Sequence, residues 1–206
     1  MDENINKFFL EEKTLEEMAI FFNKESFIQL DSFFKDSALI DLKKSLVNYN
    51  YIKEYKPMFW KKKYIDIKNL YSLDILKFVE FFRSSFFLNY IETFTGFNLI
   101  FKKISIENYT VGDYTLLNDR NKNKEGLDIT FDLSDDFKQN WGGTSVYLIK
   151  TEDIFYLTPK YNSLTIIYND ENMMKYLKYI NHKAKGKNIY RFSISMQIIN
   201  ELIELD

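Results

Sequence analysis

Few side chains in this sequence of 206 residues can do covalent or metal chemistry, and that scarcity bounds its function. There is no Cys, which excludes a disulfide framework, an iron–sulfur cluster, cysteine-ligated zinc and thiol nucleophiles. There is one His, His182, so a site that needs two histidines cannot form within one chain. Asp135-Asp136 is a carboxylate pair of the kind that meets a cation, but two adjacent acids before a strand read more simply as a solvated turn. One basic run stands out, Lys175, Lys178, Lys183, Lys185, Lys187 and Arg191, with no Asp or Glu among them. Such a run is either a solvated basic loop or a docking surface for an acidic partner, a phosphate or RNA. Lys61-Lys62-Lys63 reads as an exposed face, and His182 as a surface or hydrogen-bonded histidine.

These groups need a scaffold, and the composition supplies one. Hydrophobic residues make up 46% and charged residues 28%, enough for a buried core in a single domain. The net charge of -2 argues against a protein that coats a nucleic-acid backbone. The first residues, Met1-Asp2-Glu3-Asn4, are acidic where a secretion signal is basic. No apolar run reaches the roughly 18–20 residues of a membrane span. The expectation is a soluble cytoplasmic protein with no membrane partner. Five Phe doublets (Phe8-Phe9, Phe21-Phe22, Phe33-Phe34, Phe81-Phe82, Phe86-Phe87) exceed what one amphipathic face needs. The surplus points to a protein partner.

The hydrophobic pattern divides the chain. Residues 1–13 are expected to be a flexible arm, and residues 14–206 a single domain. Residues 14–98 read as mostly helical. Leu15, Met18, Ala19 and Phe22 recur at helical spacing after Thr14 and Glu17, which form a capping box. Phe27 to Leu30 reads as a short strand; helices are predicted from Ser37 to Val47, from Leu70 to Phe82, and from Ser85 to Thr95, the last closed by Gly96. Residues 99–199 read as strands: Leu99–Phe101, Ser105–Tyr109, Asp128–Leu133, Thr144–Ile149, Leu164–Tyr168 and Tyr190–Met196. Helices followed by many short strands give an α+β fold.

Four stretches within this layout resemble the prolyl-hydroxylase-like branch of the Fe(II)- and 2-oxoglutarate-dependent oxygenases. They are Tyr109-Thr110-Val111-Gly112-Asp113-Tyr114, Asp128 to Leu133 with Trp141-Gly142-Gly143, Pro159-Lys160-Tyr161-Asn162-Ser163-Leu164, and Arg191-Phe192-Ser193-Ile194-Ser195. Leu30-Asp31-Ser32-Phe33-Phe34 is similar to the family's N-terminal strand and helix start. The resemblance spans about residues 14–199. It implies a double-stranded β-helix, a jelly-roll core, with supporting N-terminal helices.

The resemblance also implies an iron site of two His and one carboxylate, and here this sequence departs from the pattern. Asn118 stands where the first His belongs and Arg120 where the carboxylate belongs. Lys175 falls at the distal His position, unless the register is wrong and His182, seven residues on, supplies it; the remaining ligands would then come from Asn118, Asp119 or Asp128. Arg191 and Ser193 match the pair that holds the distal carboxylate of 2-oxoglutarate, and Tyr109 matches an assisting tyrosine. Either an anion pocket survives there or Arg191 pairs with an internal acid. The leading expectation is a degenerate oxygenase-like protein without iron-dependent catalysis or a metal site. It would act as a binding or scaffolding protein with a residual pocket for 2-oxoglutarate or another small anion. The alternative is an active dioxygenase that hydroxylates a protein or peptide side chain through an unusual Fe(II) site. Asn118, Arg120 and Lys175 are expected to converge at the mouth of one cleft that Arg191, Ser193 and Tyr109 also line.

Overall fold

A computed structural model describes residues 2–116, 125–135, 137–148, 154–170 and 173–199. Asn118, Asp119, Arg120 and Asp136 therefore lie outside the described residues. The helical layer comprises α1 (Glu12–Glu25), α2 (Asp36–Val47), α3 (Leu73–Arg83) and α4 (Ser85–Thr95). Two serines start the last pair: Ser72 Oγ accepts from the Ile75 amide and Ser84 Oγ from the Phe87 amide. Gly96 ends α4 at φ +72°, its N–H bonded to the Glu92 carbonyl.

One expected cap is corrected. Thr14 does not start α1; the helix begins two residues earlier, with Glu11 at the N-cap. Thr14, Met18 and Phe22 are four residues apart, and all three are buried. Thr14 therefore belongs to the stripe that faces the core and is unavailable as a cap.

The strands are β1 (Phe27–Asp31), β2 (Ile52–Lys56), β3 (Trp60–Ile65), β4 (Leu99–Tyr109), β5 (Tyr114–Thr115), β6 (Gly126–Leu133), β7 (Ser145–Leu148), β8 (Ile154–Leu157), β9 (Tyr161–Asn169), β10 (Met174–Leu177) and β11 (Ile189–Ile198). All pair antiparallel, in the order β1-β9-β6-β11-β4-β3-β5-β10-β7-β8, with β2 hydrogen-bonded to β3. The order is not flat. Its two ends meet through Phe27 of β1 and Phe155 of β8, whose ring centroids are 4.9 Å apart, so the sheet curls into the expected double-stranded β-helix. The two strands read at 99–101 and 105–109 are one: Lys103 and Ile104 continue the pairing with β11, and Lys102 is passed over where the register shifts between Ser195 and Met196. The hairpin β2–β3 lies inside the stretch expected to be helical. Its lysines are not uniformly exposed either: Lys62 pairs with Glu54, and Lys63 reaches Thr110 and Asp113.

Register gives the sheet two different faces. Ile106, Phe192, Phe131 and Leu164 lie abreast on one face of β4, β11, β6 and β9, and Ile104, Ile194, Ile129 and Ile166 form the next row. This face buries against the helices, where Phe34 meets Phe131 at 5.1 Å and Phe82 meets Phe192 at 5.7 Å between centroids. On the opposite face the same strands carry Glu107, Arg191, Asp132 and Ser163, then Ser105, Ser193, Thr130 and Thr165. Strand alternation thus sends every apolar side chain of these rows outward to the helices and every polar one inward.

The segment expected to be a flexible arm is tied down over residues 4–10. Ile5 bridges Phe34, the Asn6 amide donates to the Phe33 carbonyl, and Phe9 is buried. The clamp that fixes Phe34 is Asn162, left-handed at φ +54° at the start of β9. Its Oδ1 accepts from the Phe34 amide at 2.9 Å and its Nδ2 donates to the Phe34 carbonyl at 2.7 Å. Both backbone groups are buried, so truncation orphans a donor and an acceptor together. Asn162→Ala should cost about 2–4 kcal/mol of unfolding free energy, read from urea titrations with an unchanged m-value. A cost below about 0.5 kcal/mol would show that the clamp is not what holds this segment.

Candidate functional site

The polar inner face of the curl encloses a cavity of about 420 Å³, and residues predicted from sequence meet in it. Arg191, Ser193, Tyr109 and Lys175 all line it. His182 does not: it sits exposed on the one-turn 3-10 helix His182–Ala184. Lys175, on β10 opposite Tyr147 of β7, is therefore the inward-facing group of the two candidates for the distal position. Whether Asn118 and Arg120 converge on it falls outside the described residues.

Arg191, Ser193 and Lys175 each have an internal partner. Arg191 Nε donates to Asp132 Oδ1 at 2.7 Å and Nη2 donates to Oδ2 at 2.8 Å, a two-point ion pair. Its Nη1 donates to Ser145 Oγ at 2.6 Å, across the curl. The side chains of Arg191 and Asp132 are 4% and 7% exposed, so this pair is withdrawn from water. Ser193 Oγ donates to Glu107 Oε2 at 3.0 Å, and Ser105 Oγ donates to Oε1 at 2.6 Å. Lys175 Nζ donates to Asp128 Oδ2 at 2.8 Å and lies 5.0 Å from the centroid of the Tyr147 ring.

These contacts set the protonation states. Burial disfavours the Lys175 ammonium, but the Asp128 carboxylate outweighs it and holds the pKa above the usual value. Arg191 is subject to the same opposition, burial against Asp132, and is also raised. Burial, with Asp128 adding to it, pushes the Tyr147 phenol up to about 12. Tyr109 is raised well above its ordinary value by burial first and by Glu107 second.

Sequence reading missed the partners Asp132, Glu107, Ser145 and Tyr147, and took Asp128 only as a metal-ligand candidate. A signal existed in Asp128-x-Thr130-x-Asp132, three polar residues on one face of a strand whose other face is Ile129 and Phe131. The turn Trp141-Gly142-Gly143 precedes β7. Trp141 packs on Phe137, 5.7 Å between centroids, and a Cβ on Gly142 would stand 1.9 Å from the Tyr179 carbonyl oxygen, so only glycine fits.

A curled antiparallel sheet over a helical layer, with an Arg-x-Ser strand facing the cavity, defines the double-stranded β-helix of 2-oxoglutarate oxygenases. The chain belongs to this superfamily: residues 48–206 match the family described as the oxoglutarate and iron-dependent oxygenase degradation C-terminal domain. Two curated relatives are prolyl 3-hydroxylase OGFOD1 of Mus musculus, 29% identical over 82 residues, and of Xenopus laevis, 34% identical over 80 residues. The matches span 38% and 36% of this chain but only 15% and 16% of those proteins. Among solved structures, the fold is similar to a Trichoplax adhaerens prolyl hydroxylase in complex with a hypoxia inducible factor peptide fragment. That likeness has TM-score 0.69 and 12% identity and covers 98% of this chain and 96% of the other. It is also similar to a Pseudomonas putida prolyl-4-hydroxylase, with TM-score 0.64, 9% identity, and 89% and 98% covered. Among the described residues, no helix is long and apolar enough to cross a membrane.

The cavity predicts an alkaline limit to stability. Lys175 and Tyr147 both hold their protons more tightly in the folded chain, so above about pH 10 the folded state binds more protons than the unfolded one. Stability is then lost as pH rises from about 10 towards 12. Urea unfolding should give a flat free energy up to about pH 9 and a fall above it, shallower in Tyr147→Phe. An identical fall in Tyr147→Phe would remove Tyr147 from this account.

Proposed function

We propose that this chain is a binding domain built on the oxygenase fold, without iron-dependent turnover. The observation that supports this reading is that the two buried cations of the cavity, Arg191 and Lys175, are each matched by a carboxylate of the chain itself. In the family pattern Arg191 and Ser193 await the distal carboxylate of 2-oxoglutarate. Here Asp132 takes the side of the guanidinium, Glu107 takes the serine hydroxyl, and Ser145 takes a third nitrogen. A dicarboxylate entering would have to displace a desolvated ion pair, or settle for the N–H groups left over. It would also bring its charge close to Glu107 and Asp132.

The donor set is equally unsuited to a ferrous ion. Lys175 could ligate a metal only as a neutral amine, and even an unperturbed lysine is neutral in less than about one molecule in a thousand at pH 7. Its raised pKa makes that fraction smaller still. The amide of Asn118 and the guanidinium of Arg120 add no anionic ligand. Iron binding here would thus begin by breaking the Lys175–Asp128 pair. No catalytic residues are assigned, and the Phe side chains that point outward, Phe8, Phe21 and Phe86, favour a protein partner.

The second reading, an active dioxygenase on a protein side chain, draws on the family and on the relatives named prolyl 3-hydroxylases. One experiment separates the two. Anaerobic calorimetry with 2-oxoglutarate, with and without Mn(II) as an iron surrogate, should show no saturable heat below about 1 mM. Stoichiometric metal-dependent binding at micromolar concentration would establish the oxygenase reading instead.

A further inference from the structure

A second cleft, of about 670 Å³, opens where the end of β6, the start of β9, α2 and the segment before β11 meet. We propose that it docks an acidic side chain, a carboxylate or a phosphate, of a partner polypeptide, received by Lys187 and Ser134. The site is separate from the central cavity and would stand beside an active iron centre as well as an inactive one.

Two groups point to a ligand. Ser134 lines the cleft with no exposed surface, and its hydroxyl has no hydrogen-bond partner. A buried hydroxyl in that state is destabilising until something pairs with it. Lys187, half-buried on the same cleft, has no acidic partner among the described residues. The other charges are committed. Asp135 accepts from Lys43 Nζ at 3.1 Å through one carboxylate oxygen and from the Asn188 amide at 3.1 Å through the other. Lys160 pairs with Asp31. Of the three lysines that line the cleft, Lys43 is paired with Asp135 and Lys160 with Asp31, which leaves Lys187 without an acid among the described residues.

The same geometry resolves the basic run from Lys175 to Arg191. Lys175 and Arg191 turn into the central cavity, and Lys178 lies over the Tyr156 ring. Lys187 lines the second cleft, and Lys183 and Lys185 are exposed. The occupant is a polypeptide rather than a free anion because the cleft is flanked by Phe137, Pro159 and Tyr161. Inorganic phosphate would leave those walls wet, whereas residues beside an acidic side chain would cover them.

The test is an NMR titration of the full chain with acetyl-Phe-Xaa-Leu-amide, where Xaa is Glu, phosphoserine or Gln, and with inorganic phosphate and oligouridylate. The Glu and phosphoserine peptides should shift the Phe137 and Lys187 amide resonances and saturate with Kd of about 0.1–1 mM, the range of an exposed charge pair with modest apolar cover. The Gln peptide and phosphate should bind at least tenfold more weakly. Lys187→Gln should weaken the acidic peptides at least fivefold and Ser134→Ala at least twofold. Both variants should keep the fold, since neither side chain has a partner to lose. Equal binding of the Gln peptide, equal binding of phosphate, tighter binding of oligouridylate, or indifference to both substitutions would each overturn the proposal.

Discussion

The pairing of Arg191 with Asp132 is the constraint on which the interior depends. A guanidinium inside a curled sheet must meet an anion, since an unpaired buried charge costs several kcal/mol. Here the neighbouring strand supplies that anion, Asp132, at the register position beside Arg191. The remainder of the cavity follows the same pattern. Glu107 is held by two serines and Asp128 by Lys175, so these charged groups of the polar face are paired from within.

Much of the architecture was legible because it rests on local patterns. Strands β4, β6, β9 and β11 alternate polar and apolar residues over long spans, and the turn residues between them stand where turns form. Gly96 ends α4 as its type suggests, whereas Ser72, inside the helix expected from Leu70, is the N-cap of one that starts at Leu73. Three features were not legible, each for a physical reason. The hairpin β2–β3 is written mostly in lysine and tyrosine, so no apolar alternation reveals it; its inward lysines find Glu54 and Asp113 only after folding. Thr14 has the chemistry of a cap but the phase of a buried stripe. Asp132 lies 59 residues from Arg191, and which residues of β6 and β11 come abreast depends on the whole sheet, not on either segment.

Of the candidate site, sequence identified the cations and the structure supplied the anions. Arg191, Ser193, Tyr109 and Lys175 do share one cavity, and the exposed position of His182 leaves Lys175 facing inward. What sequence left open was whether Arg191 awaits a ligand or already has a partner. That question turns on a contact between distant residues, while the departure of Asn118, Arg120 and Lys175 from the family's ligand pattern is a matter of residue identity alone. The two lines of reasoning are independent and favour the same function.

The central claim is that Asp132 stands in for an absent carboxylate, and it can be tested by removing Asp132. Asp132→Ala leaves Arg191 buried without a counterion, so it should lower stability by about 3–5 kcal/mol. Added acetate or succinate at about 10–100 mM should then restore part of the lost melting temperature by mass action, with little effect on the wild type. The contradicting result is a variant that melts as the wild type does, or one that no carboxylate rescues while the wild type binds 2-oxoglutarate.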